Sequence, residues 1–128
     1  MAQASRPLSP HLGIYRWYFT MALSIAHRVT GAGLTLGLLL LTWWLLALAG
    51  GPDSFATVQA AMDNFLGGLI LFGFTIFLFY HSLNGVRHLV WDTGRNLDKE
   101  GARTSGMIVL AGTAALTVIT WIAILLVG

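Results

Sequence analysis

Three runs of apolar sequence dominate the chain. Residues 29–49, 65–86 and 106–127 contain no Asp, Glu, Lys or Arg, and are 21, 22 and 22 residues long. A helix needs about 20 residues to cross the hydrocarbon of a bilayer. The pattern therefore predicts three transmembrane helices, over about 24–49, 64–88 and 104–127, in a single membrane domain spanning 1–128. Between them lie GGPDSFATVQAAMDN, read as a short loop, and RHLVWDTGRNLDKEGARTS, read as a longer one. Residues 1–23 form an N-terminal cytoplasmic or interfacial segment. In its RPLSPHLGIYRWYF stretch, Pro7 and Pro10 disfavour a helix start before about Gly13.

Composition turns this pattern into a class. Hydrophobic residues make up 56% of the chain and charged residues 9%, against about 25% charged in a water-soluble domain. So few charges cannot cover a surface in water, and the chain is read as an all-α integral membrane protein. All seven basic residues (Arg6, Arg16, Arg28, Arg87, Arg95, Lys99 and Arg103) fall in the N-terminal segment or the second connection. The first connection has none, and carries Asp53 and Asp63. By the positive-inside bias, the N-terminus and second connection face the cytoplasm, and the first connection and C-terminus face out. The net charge of +2 is membrane-flanking charge, and no basic run marks a nucleic-acid partner. The absence of cysteine excludes disulfides, thiolate catalysis and Cys-ligated zinc or iron–sulfur clusters in this chain. No cleavable signal peptide is expected, because the first apolar run starts late and is too long.

Small residues hint at packing. Gly33 and Gly37 have the GxxxG spacing that permits close helix contact, and Gly106, Ala111, Gly112 and Ala115 offer the same on the third helix. Three slim helices make a poor container for a cofactor. These faces suggest further helices from another chain.

His81 is the residue to explain. It precedes Arg87 by six positions, about 9 Å of helix rise, so its ring lies inside the hydrocarbon edge. An imidazole there is costly unless something binds it. Either it is hydrogen-bonded to a neighbouring helix, or it ligates a metal or haem. Gly85, one turn on, leaves room for a flat ligand. Zinc would want three or four nearby ligands, whereas a b-type haem needs only two imidazoles, one of which could come from a partner.

SIAHRVTG (24–31) is the second constellation. Ser24, His27 and Arg28 stand at i, i+3 and i+4 and share a helix face. Arg28 alone reads as a topology anchor. With Ser24 one turn below, the pair can hold a carbonyl oxygen and stabilise charge arriving on it, or hold a haem propionate. His88 could bond a propionate or be solvated. Asp92 reads as a cap or as an ion-pair partner of Arg87 or Arg95. Trp43 and Trp44 read as packing or belt residues.

The stretches RPLSPHLGIY (6–15), SIAHRVT (24–30) and HSLNGVRHLVWDTG (81–94) together resemble the signature regions of the cytochrome b (b556-type) membrane-anchor subunit of succinate dehydrogenase, respiratory complex II. The likeness is to its mitochondrial and alphaproteobacterial branch and covers about Arg6 to Arg103. It implies a subunit that is not an enzyme alone but part of one. With a second small anchor subunit, it would tether an iron–sulfur and a flavoprotein subunit to a bacterial cytoplasmic membrane, the mitochondrial inner membrane being the alternative. Electrons would pass from succinate to ubiquinone. His81 would be one axial ligand of a shared haem b, the second anchor subunit supplying the other histidine. Ser24 and Arg28 would line the quinone pocket, with Trp17, Met21 and Ile25 enclosing the ring. His27, Arg28 and His88 would serve the haem propionates. Two readings compete: a haemless scaffold, and a self-sufficient cytochrome using His27 and His81, which depth disfavours because His27 adjoins the edge while His81 lies about two turns inside. A quinol oxidase that reduces fumarate shares the architecture.

Overall fold

The structure, a computed structural model, describes residues 7–127. Arg6, which enters the charge count, lies outside the described residues. Four helices follow one another: α1 (Phe19–Ala49), α2 (Pro52–Met62), α3 (Phe65–Asp92) and α4 (Lys99–Val127). Among the described residues all regular structure is helical, and α1, α3 and α4 are long and apolar enough to cross a membrane. This is an all-α integral membrane fold with three spans.

Each long helix outruns its apolar core. α1 starts at Phe19 rather than 24, α3 continues to Asp92, and α4 begins at Lys99 rather than 104. Charge ends the stretch that can sit in hydrocarbon, but not the hydrogen-bonded spiral. The longer predicted loop accordingly shrinks to residues 93–98. There Asn96 adopts the left-handed conformation at φ 56°, and Asp98 Oδ2 accepts the Gly101 N–H at 2.9 Å, starting α4.

The other connection is not a loop. It folds into α2, which begins with Pro52 at its first turn after Gly51 at φ 100°. Proline is pre-set for that position, and Asp53 suits the positive end of the helix. α2 seats Val58, 1% exposed, on the bundle and meets Trp44 of α1 edge-on through Phe55 at 5.8 Å. α3 then starts on Asn64, whose side chain accepts the Gly67 N–H at 3.0 Å.

The helices run antiparallel in sequence order. Along α1, Gly31, Gly33 and Gly37 face His81, Phe77 and Phe74 in turn, rising on one helix while falling on the other. Along α4, Ser105 meets Arg87, Gly112 meets Leu83, and Trp121 meets Thr75. The glycines expected to receive helices from another chain are thus used within this one. Gly33 and Gly37 admit phenylalanine rings of α3, and Gly106 admits Leu23 and Phe19 of α1. A side chain at Gly33 or Gly106 would overlap these neighbours. The outward faces stay apolar and exposed, with Leu39 and Ile119 both more than half accessible.

Arg87 and Asn84, the largest buried polar groups, lie toward the end of the bundle that carries the N-terminal segment and residues 93–98. Tyr80 donates to the Leu23 carbonyl at 2.6 Å, joining α3 to α1. Arg87, 5% exposed, points into the α3–α4 seam and donates to Ser105 Oγ at 2.9 Å, the Ala102 carbonyl at 2.8 Å and Asn84 Oδ1 at 3.2 Å. Its guanidinium also lies 4.1 Å from the Trp91 ring centre. Asp92 is therefore not its partner: α4 offers neutral acceptors nearer, in a site that excludes water.

Candidate functional site

His81 packs where α3 crosses α1. Two features of α1 make room for it and hold it. Gly31 has no side chain, and a Cβ there would lie 3.0 Å from His81 Cε1. One residue earlier, Thr30 brings its hydroxyl to 3.2 Å from His81 Nδ1. The same nitrogen lies 3.1 Å from the His27 carbonyl oxygen. A carbonyl only accepts, so Nδ1 carries the proton and donates. The tautomer follows: Nε2 keeps its lone pair, as a metal-binding imidazole requires.

His27 and His88 join His81 in a column. The His27 ring stacks on His81 with centroids 4.0 Å apart and planes 8° apart. His88 lies 5.1 Å from the other partner in line, His27, at 18°, and Trp91 follows at 5.1 Å from His88. The sequence reading put His27 near the edge and His81 about two turns deeper; instead the rings touch. α1 begins well before the apolar run, and the antiparallel register brings His27 level with His81. The in-chain ligand pair still fails, for a different reason. Stacked face to face at 4.0 Å, the two rings leave no space between them for a metal.

The residues present fit one half of a haem site. His81 offers an oriented lone pair, and a Cβ on Gly85 would meet nothing within 4 Å, so the space beside the histidine is open. His27 Nδ1 is buried without a hydrogen-bond partner, and His88 Nδ1 donates to its own Asn84 carbonyl at 2.7 Å. His88 is packed in the column rather than freely solvated. Among the described residues no group of three or more His, Cys, Asp or Glu converges as for a metal ion.

Ser24 and Arg28 lie beside His27 near the start of α1. Met21, Ser24, Ile25 and Arg28 follow one another at helical spacing there, with Ile25 and Arg28 exposed. Trp17 precedes the helix and is exposed, but it is tied to this face. Its ring meets Tyr15 edge-on at 5.7 Å, and the Tyr15 hydroxyl contacts Met21 Sδ at 3.7 Å. Tyr15 thus links Trp17 to Met21 at the start of α1.

A family model described as "Succinate dehydrogenase/Fumarate reductase transmembrane subunit" matches residues 2–120. The chain belongs to that family. It is 42% identical over 120 residues to the succinate dehydrogenase cytochrome b556 subunit of Paracoccus denitrificans, covering 94% of this chain and 92% of that protein. It is 40% identical over 111 residues to the mitochondrial cytochrome b560 subunit of Sus scrofa, covering 84% of this chain and 64% of that protein. The cytochrome b560 subunit of Reclinomonas americana is 37% identical over 123 residues, with 92% of this chain and 85% of that protein covered. Membership makes the chain a transmembrane part of an oxidoreductase complex.

Thr30, Tyr80 and Asn84 are the polar residues of this site that the sequence reading did not assign. Their signal was available. Tyr80 and Asn84 flank His81 inside an apolar run, and Thr30 stands three residues after His27 in SIAHRVTG. A polar group in a span asks for a partner.

Proposed function

We propose that this chain is a b556-type cytochrome membrane-anchor subunit of a succinate:ubiquinone oxidoreductase. It would bind haem b together with a second small anchor subunit and dock an iron–sulfur and a flavoprotein subunit at its N-terminal end. The observation that carries this reading is His81: its Nδ1–H is held by α1 and its Nε2 lone pair is free, with no second axial imidazole in the chain. A bound haem would supply one-electron redox chemistry. His27, Arg28 and His88 would face its propionates.

The quinone would sit on the Trp17–Met21–Ser24–Ile25–Arg28 face, closed by the partner subunits. Trp17, Met21 and Ile25 would exclude water from the ring. The Ser24 hydroxyl and the Arg28 guanidinium would donate to a carbonyl oxygen as negative charge arrives on it. Such donors matter more to the charged form than to the neutral carbonyl, which is why they speed the transfer. The charge asymmetry supports an inward-facing N-terminus in a bacterial cytoplasmic membrane. A reporter inserted near Lys99 should score as inside, and one near Pro52 as outside.

The decisive experiment is a reduced-minus-oxidised spectrum of the purified complex. The parent complex should show a low-spin b-type signal, which His81→Ala should abolish or strongly alter. The isolated chain should show little or none; a full, stable spectrum from it alone would refute the shared haem. Ser24→Ala should lower succinate–quinone reductase activity by about 10²–10³-fold. Succinate oxidation by a dye that takes electrons upstream should stay near the parent rate. A parallel fall in both would make Ser24 structural.

A further inference from the structure

Thr30 is buried, 6% exposed, in the middle of a helix where a hydroxyl needs a partner. The simplest partner is its own helix, and Thr30 Oγ1 lies 2.8 Å from the Ala26 carbonyl and 3.0 Å from that of His27. Thr35, Thr42 and Thr113 make the same backward bond. That bond accounts for the hydroxyl hydrogen, but not for the oxygen's remaining lone pairs. At Thr75 a lone pair accepts a hydrogen bond across the bundle, from Trp121 Nε1–H at 3.3 Å. At Thr30 the group in the equivalent place is His81 Nδ1, 3.2 Å away.

We propose that Thr30 is a positioning residue for the haem ligand. Its hydroxyl donates to the Ala26 carbonyl, and its lone pair shares the His81 Nδ1–H with the His27 carbonyl, inside a notch that Gly31 leaves open. Two acceptors on one N–H fix the tautomer and restrain the ring. They also draw the proton away from the ring and make Nε2 a stronger donor, as partners of ligating histidines generally do. A stronger donor favours the ferric over the ferrous state. The inference rests on the reading of His81 as a haem ligand.

The test uses the assembled complex and reads the haem rather than turnover. Thr30→Val keeps the shape and removes the acceptor; Thr30→Ser keeps the acceptor and trims a methyl. Loss of a partner of this kind typically costs 10–100-fold in affinity. Thr30→Val should therefore speed transfer of haem to apomyoglobin about tenfold. It should also move the midpoint potential positive, a tenfold loss of ferric over ferrous preference reading as about 59 mV. The low-spin electron paramagnetic resonance signal should broaden as the ring gains freedom, and Thr30→Ser should restore all three. Should Thr30→Val fail to assemble, Thr30→Ala against Thr30→Ser decides the same question. Unchanged potential and haem release without the hydroxyl would overturn the proposal, as would a serine variant as altered as the valine one. If haem persists in His81→Ala, the ligand assignment itself has failed rather than this inference.

Discussion

α3 has two seams, and they are built differently. Toward α1 it packs rings into notches: His81 at Gly31, Phe77 at Gly33 and Phe74 at Gly37. Toward α4 it is pinned by polar bonds, Arg87 to Ser105 and Ala102 near its C-terminal end and Thr75 to Trp121 in its N-terminal half. Hydrocarbon surrounds both, so no hydrophobic force drives either seam together. Van der Waals fit and hydrogen bonds must do it. The seam that carries the candidate ligand combines close fit with neutral hydrogen bonds, from Tyr80 to the Leu23 carbonyl and from His81 to α1. The other relies on a buried cation, which ties helices firmly but offers no open coordination. Structure and chemistry are thereby divided between opposite sides of one helix, and substitutions should separate them.

The largest effect is expected at Arg87. Arg87→Leu strands the oxygen of fully buried Asn84 and removes the bonds to Ser105 and to the Ala102 carbonyl, which Ser105 Oγ still reaches, and hydrogen bonds to a charged group are worth about 1.5–3 kcal/mol each. Thermal unfolding of the complex in detergent should report a loss of about 3 kcal/mol, while any haem retained keeps its spectrum. Arg87→Lys should recover little, since an ammonium lacks the planar fork that spans three acceptors. A shifted haem spectrum in either variant would break the division between seams.

Gly33→Ala comes next. Its new methyl would overlap the Phe77 ring, and overpacking of this kind costs about 1–3 kcal/mol. Unlike Arg87→Leu, it should also disturb the haem spectrum, because Phe77 lies one turn from His81 on the same seam. Equal haem content and spectrum at lowered stability would show that the α1 seam tolerates the overlap.

Trp121→Phe should do least. It removes one bond of 3.3 Å from Trp121 to Thr75 and leaves the ring's contact with Phe72 in place. Interhelical bonds in membranes average about 0.6 kcal/mol, so the melting temperature should barely move. A loss rivalling that of Arg87→Leu would mean that the α4 seam is held here instead.

The sequence by itself determined the three spans, the placement of His81 in an apolar run and the concentration of basic residues at one end. Hydropathy and charge are properties each residue carries with it, so they add along the chain and can be read there. It did not determine that residues 52–62 coil into a helix, since a polar stretch with Pro52 and Asp53 reads equally as a turn. It could not say that Gly33 and Gly37 receive rings from α3 rather than from another chain, because a notch does not name what fills it. Nor could it bring His27 level with His81, turn Arg87 from Asp92 toward Ala102 and Ser105, or put the Thr30 oxygen against Nδ1. Each of these depends on the register between antiparallel helices, where a shift of one residue moves a side chain by about 1.5 Å. A hydrogen bond does not survive such a shift, whereas an apolar span does. The choice of which imidazole nitrogen carries the proton, and so which keeps its lone pair, therefore belongs to tertiary structure alone.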